Sequence, residues 1–157
     1  MKYRVPRLPT APGAELWITD LDEKRLIRFD KVSHGRSLAV PIRSEDGEAL
    51  ATVRLQRKPT GTAAAVEIGG TLFATISLHG SKRQGAARVR CEAGEYIIAG
   101  DFEAWDFHVL LDTSPVADVA PRKTEDTIAL VETSDHEEQL PLLALVLAVD
   151  LLVQAAR

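Results

Sequence analysis

Cysteine is almost absent: Cys91 is the single one in 157 residues. No disulfide can form within the chain, which favours a reducing compartment. The N-terminal stretch Met1-Lys2-Tyr3-Arg4-Val5-Pro6-Arg7 lacks the apolar core of a signal peptide, and neither end carries a lipidation signal, so a cytoplasmic location is expected. Basic charge is not in excess either. The net charge of −4 gives no general pull toward nucleic acid or an anionic membrane, and such binding would need a local basic patch. His34, His79, His108 and His136 are scattered, with no metal-ligand spacing to Cys91. No glycine-rich phosphate loop precedes a helix. Ser33-His34-Gly35 and Ser134-Asp135-His136 contain the residue types of a catalytic triad, but such fragments are common by chance. No metal and no cofactor are expected.

What is present suits one domain spanning 1–157. A chain of this length buries roughly 70% of the surface its unfolded form exposes, so a core needs no covalent staples. From Ala14 to Val131 short runs alternate with turns. Ala14–Thr19 and Lys24–Phe29 flank Asp20-Leu21-Asp22-Glu23. Arg36–Arg43 and Ala49–Arg57 flank Ser44-Glu45-Asp46-Gly47, where Asp-Gly tolerates the positive φ of a hairpin. Ala63–Ile68 and Thr71–Leu78 flank Gly69-Gly70. Ala86–Cys91 and Tyr96–Phe102 flank Glu92-Ala93-Gly94-Glu95. Trp105–Leu111 and Val116–Pro121 flank Asp112-Thr113-Ser114-Pro115. With Asp126–Glu132, and Lys2–Val5 as a first strand, about a dozen strands and short connections predict an antiparallel barrel or sandwich.

A weak repeat runs through these hairpins. Leu26-Ile27-Arg28-Phe29, Leu50-Ala51-Thr52-Val53, Phe73-Ala74-Thr75-Ile76 and Val116-Ala117-Asp118-Val119 follow turns, with Tyr96-Ile97-Ile98-Ala99 in the widest gap. A meander repeated about an axis tends to close and so remove its edges.

The composition changes at Thr133. Asp135, with Glu138 three residues on, fits a capping box, and a Leu/Ala-rich helix follows with Pro141 in its first turn. Its apolar positions from Leu142 to Val153 cover every side, which means burial in protein or in a membrane. The uninterrupted apolar run, Leu140 to Val149, is short of the ~20 residues a span needs. Asp150 would add about 2.5–3.5 kcal/mol to insertion. No transmembrane span is expected. Ten large apolar side chains at ~2 kcal/mol each represent about 20 kcal/mol of transfer energy as an upper bound. An open sheet would leave one side of the helix wet, whereas a barrel of about a dozen strands has room for it. The expected fold is therefore mainly β, a closed antiparallel barrel around a central apolar C-terminal helix.

Gly100-Asp101-Phe102-Glu103-Ala104-Trp105-Asp106-Phe107 resembles the Gly-Asp-Phe-x-x-Trp-Asp-Phe signature of the LURP-one-related family. Val116-Ala117-Asp118-Val119, Asp126-Thr127 and the helix ending Ala148-Val149-Asp150-Leu151-Leu152 follow in that family's order, and Asp46–Val53 is similar to its hairpins. The likeness covers about Leu16 to Leu152. It departs from the family's frequent aromatic after Asp-Thr, having Ile128. The family is grouped with the tubby C-terminal domain and the phospholipid scramblases. The resemblance implies a twelve-stranded barrel around a C-terminal helix, and a non-catalytic module that binds phospholipid headgroups or a protein partner. The chain has no cysteine-rich palmitoylation segment, which argues against scramblase activity.

Several residues invite functional readings. Trp105 and Phe107 alternate, so they are expected on one strand face, as a buried pair or a ligand-stacking surface. Asp101 and Asp106 fit either acid–base work, with His108 nearby, or the satisfaction of backbone donors at a bend. Asp150 is expected to lie with Gln154 and Arg157 on a stripe reaching an open, wet end of the barrel, with a proton site as the alternative. Arg88 and Arg90 share an outward face if Val89 and Cys91 point inward. With Lys82 and Arg83 they could grip a lipid phosphate, or form a merely solvated face. Arg54, Arg57 and Lys58 make a second basic cluster with the same two readings. An enzyme with a site near Asp101, Asp106 and His108 is the alternative function. Nucleic-acid binding is not expected, because the charge balance is acidic and no recognition helix is exposed.

Overall fold

The computed structural model describes residues 1–9, 12–34, 37–122 and 124–156. Fourteen strands and one helix follow one another along the chain. The strands are β1 (Lys2–Pro6), β2 (Leu16–Thr19), β3 (Arg25–Phe29), β4 (Val32–His34), β5 (Ser37–Ser44), β6 (Ala49–Lys58) and β7 (Gly61–Ile68). They continue with β8 (Thr71–Ile76), β9 (His79–Gly80), β10 (Gly85–Cys91), β11 (Gly94–Asp101), β12 (Asp106–Leu111), β13 (Ser114–Arg122) and β14 (Glu125–Thr133). The helix α1 spans Gln139–Ala155.

Local chemistry explains the meander. Gly69 and Gly70 have φ of 60° and 80° and close the β7–β8 hairpin in two residues, a conformation that glycine adopts without steric cost. The sequence repeat is this hairpin rhythm: Leu26, Leu50, Phe73, Tyr96 and Val116 each sit near the start of a hairpin's second strand. Burial alternates along the strands, as in β10, where Ala87 and Val89 point inward and Arg88 and Arg90 outward. β4 and β9 were not expected from sequence; at three and two residues they are too short to show a period. The Arg36 start expected for β5 lies outside the described residues.

All the pairings are antiparallel and form one sheet, ordered β8-β7-β6-β5-β3-β2-β1-β14-β13-β12-β11-β10-β9, with β4 on β5. β1 joins the two halves by pairing with β14 on one side and β2 on the other. The expected closed barrel is not realised in the hydrogen bonding. Among the described residues no ladder links β8 to β9 or β10, although β8 lies beside β10. β9 occupies the ladder positions opposite Gly85 and Ala86. Side chains meet across this seam instead: the Phe73 ring of β8 lies 6.2 Å from the Tyr96 ring of β11.

The helix is buried on all sides, every residue from Pro141 to Val153 included. Leu142, Leu143, Leu145 and Leu147 are among the largest fully buried side chains, alongside Phe29, Phe102 and Phe107 from the strands. Pro141 lies in the first turn, where its missing N–H costs nothing. The expected capping box does not form. The N-cap is Glu138, whose side chain makes no capping bond, and Asp135 instead holds the N-terminal ammonium at 2.6 Å. Gln139 anchors this end: its amide donates to the carbonyls of Ser134 (3.0 Å) and Glu137 (2.8 Å), and its Oε1 accepts from the Tyr3 hydroxyl at 2.9 Å. No helix among the described residues is long and apolar enough to cross a membrane.

Because α1 is buried on all sides, truncating one of its central leucines should leave a void. Leu145→Ala is expected to lower stability by about 2–5 kcal/mol in urea denaturation. The surface change Leu21→Ser, at a side chain 52% exposed, should stay within about 0.5 kcal/mol.

Candidate functional site

The Gly100–Phe107 signature forms the tight connection from β11 to β12. Gly100 has φ +144°, and a Cβ there would lie 2.5 Å from the Asp106 carbonyl oxygen, so only glycine fits. Asp101 accepts from the Ala104 N–H at 3.0 Å, the backbone-satisfying role. Phe102 and Phe107 pack edge to face, with centroids 5.3 Å apart. Trp105 is not on a strand face with Phe107 as expected. It stands in the turn with φ +57°, a strained conformation for so bulky a residue, and is buried with its indole turned to the helix.

The indole Nε1 donates to Asp150 Oδ1 at 3.0 Å, and the Leu8 N–H donates to Oδ2 at 2.7 Å. The Arg7 guanidinium lies 3.8 Å from the same carboxylate and 5.2 Å from the Trp105 ring centroid, and it donates to the Glu103 carbonyl at 3.0 Å. The expected wet stripe is thus corrected: Asp150 is fully buried, because the Arg7–Pro9 segment crosses the helix and covers it. Gln154 belongs to the same clasp. It donates to the Leu8 carbonyl at 2.5 Å and accepts from Lys31 at 2.9 Å. Lys31 also donates to the Pro9 carbonyl at 3.2 Å. Burial pushes the Lys31 ammonium below its ordinary pKa, and the nearby Asp150 charge partly restores it. Arg157, expected on the stripe, lies outside the described residues. Arg7, Leu8 and Lys31 escaped the sequence reading because they are remote in the chain from Asp150.

The four basic candidates do not form one grip. Arg88 and Arg90 do share the outer face of β10, and both lean on Glu95, at 3.7 and 3.1 Å. Arg83 is drawn elsewhere, 3.9 Å from Glu103. The Lys82 backbone carbonyl accepts the Phe102 and Glu103 N–H groups, at 2.8 and 3.3 Å, and its side chain borders a recess of about 270 Å³ with Leu78, Phe102 and Leu152. In the second cluster Arg54 pairs with Glu67 at 3.5 Å, while Arg57 and Lys58 are exposed.

The acid–base candidates are neighbours, Asp101 opposite Asp106 in the β11–β12 ladder and His108 on the same outer face of β12 as Asp106, but they do not line a common recess. Asp106 is exposed, Asp101 is engaged with Ala104, and His108 is paired through Nδ1 with Asp118 across the β12–β13 ladder. The shallow depression at Asp101 is lined by Arg83, Glu103 and Ala104, not by His108. The described part of Ser33-His34-Gly35 excludes Gly35 and the His34 side chain. Asp135 of the second triad fragment is held by the N-terminus. Among the described residues no group of His, Cys, Asp and Glu could hold a metal ion.

A recess of about 590 Å³ lies elsewhere, between the β7–β8 hairpin tip, the β10–β11 turn and the start of α1. Ile68, Leu72, Phe73, Leu140 and Pro141 give it an apolar floor, and Glu92 and Glu138 border it. Leu72 is 60% exposed, the most exposed of the large apolar side chains. Sequence reasoning missed this place, since its parts come from three distant segments. Compared with protein-family models, curated proteins and solved structures, the chain matches none.

Two outcomes check this geometry. Asp150→Ala strands the Trp105 indole and the Leu8 N–H, and should cost about 3–5 kcal/mol, with faster hydrogen exchange at the Leu8 amide. Asp150→Asn keeps one acceptor and should cost about 1–3 kcal/mol. The second outcome concerns the two tyrosines. Burial, then Asp135, raises Tyr3. Burial, then Cys91, Glu137 and Glu138, pushes Tyr96 up to about 12. A folded pKa above the unfolded one gives stability that is complete below about pH 10 and lost as pH rises through 12. At about pH 11 the native protein should show less phenolate absorbance than the unfolded chain, and the Tyr96 phenolate should appear together with loss of circular dichroism.

Proposed function

We propose that this chain is a non-catalytic binding module of the LURP-one-related, tubby C-terminal-like kind. In this reading the sheet wraps α1 completely, with the β8–β10 seam closed by side chains, and a protein partner is taken on the outer surface. One observation carries the proposal: α1 fills the interior, each residue from Pro141 to Val153 being buried, so space for a ligand lies outside. The recess beside Leu72, about 590 Å³, is such a space and has the apolar floor typical of binding sites. Asp101 is engaged by the Ala104 N–H and His108 by Asp118, on an outer strand face without a shared recess, which supports the non-catalytic part of the reading.

A second reading has its own support. Arg88 and Arg90 share the single carboxylate of Glu95, so their face keeps an excess positive charge that an anionic phospholipid headgroup could meet. Affinity capture from the cell of origin separates the two. The partner reading expects a protein retained by wild type and by Arg88→Glu/Arg90→Glu, and lost with Leu72→Glu. Retention unaffected by Leu72→Glu defeats it. Pelleting with anionic vesicles at low salt, abolished by Arg88→Glu/Arg90→Glu, would establish the lipid reading instead.

A further inference from the structure

We infer that the recess beside Leu72 takes a polypeptide segment that presents an aliphatic side chain flanked by lysine or arginine. This rests on the partner reading above and names the chemistry of the partner. Three observations lead there. The floor is apolar, formed by Ile68, Leu72, Phe73 and Leu140, with Leu72 standing 60% exposed in water. An aliphatic side chain buried there removes apolar surface on both partners.

The border is acidic and uncompensated. Glu92 and Glu138 come from separate elements, the β10–β11 turn and the helix start, and both are exposed. Neither has an ion-pair partner among the described residues, whereas the outward arginines of β10 share Glu95. The Glu138 carboxylate is not used to cap α1, although it occupies the capping position. A cation beside the anchor would relieve this like-charge crowding, and an acidic segment would be repelled.

The third observation favours a chain over a compact ligand. The recess is lined by three separate segments, Ile68 with Thr71–Phe73, Glu92, and Glu138–Pro141, so an occupant must reach across all three. The outer edge of β8 faces β10 across the seam, so the occupant rests on side chains and not on that edge.

The test is an NMR titration of the ¹⁵N-labelled full chain with three blocked tetrapeptides: acetyl-Lys-Leu-Val-Lys-amide, acetyl-Gln-Leu-Val-Gln-amide and acetyl-Glu-Leu-Val-Glu-amide. Saturable shifts are expected at Leu72, Phe73, Glu92 and Leu140. The basic peptide should bind about fivefold tighter than the neutral one, the size of two screened surface ion pairs, and the acidic peptide weakest. Glu92→Lys/Glu138→Lys should reverse that order, with the dispersed spectrum reporting that the variant is folded. Equal affinity for the three peptides overturns the charge inference and leaves the partner reading standing. Absence of shifts from all three at roughly 10 mM overturns both. Shifts at the same amides on concentrating the protein alone would make a second copy of this chain the occupant and overturn the inference.

Discussion

A helix that is apolar on every side is stable in water only when every side is covered, and one sheet face covers at most half of it. That constraint organises the whole chain. Thirteen consecutive residues of α1, Pro141 to Val153, are buried, so strands from both halves of the sequence must meet around them. The pairing of β1 with both β2 and β14 brings the halves together, and the sheet then continues in both directions until β8 and β10 lie side by side. The strands need only surround the helix; they need not form a ladder at every position. Across the seam, contacts such as Phe73 with Tyr96 supply the cover instead.

The same helix carries one carboxylate into the interior. A buried charge is tolerated only with donors and a counter-charge, and Asp150 has the Trp105 indole, the Leu8 N–H and the Arg7 guanidinium around it. Those partners come from the N-terminus and from the Gly100–Phe107 turn. Asp150 therefore ties two remote segments to one point on the helix and fixes which way the first residues run. The left-handed Trp105 belongs to this account, for its strain is sustained by a buried indole with a buried acceptor.

These two features differ in how far the sequence revealed them. The hairpins were legible because Asp46-Gly47 and Gly69-Gly70 are local turn chemistry, and the buried helix because Leu and Ala cover all its sides. The short strands β4 and β9 were not, and β9 changes the outcome by taking the ladder positions that a closed barrel would give to β8. Asp150 was recognised as odd but assigned to water, since nothing local announces that Leu8 lies across it. The basic clusters were visible as spacing, yet spacing does not disclose Glu95 and Glu103, which engage Arg88, Arg90 and Arg83 in space. Local signals specify elements; a polar group's partner is a tertiary fact.

That distinction bears on where binding can occur. With the interior filled by its own helix, the proposed binding falls to the outer surface. There Arg54, Arg83, Arg88 and Arg90 are each engaged by a carboxylate. Around Leu72 the balance differs: apolar area is left in water, and two carboxylates border it without ion-pair partners among the described residues. Each is mildly costly to the isolated chain. Apolar surface and unmatched charge therefore stand together at one place, where an aliphatic anchor with flanking cations would satisfy both.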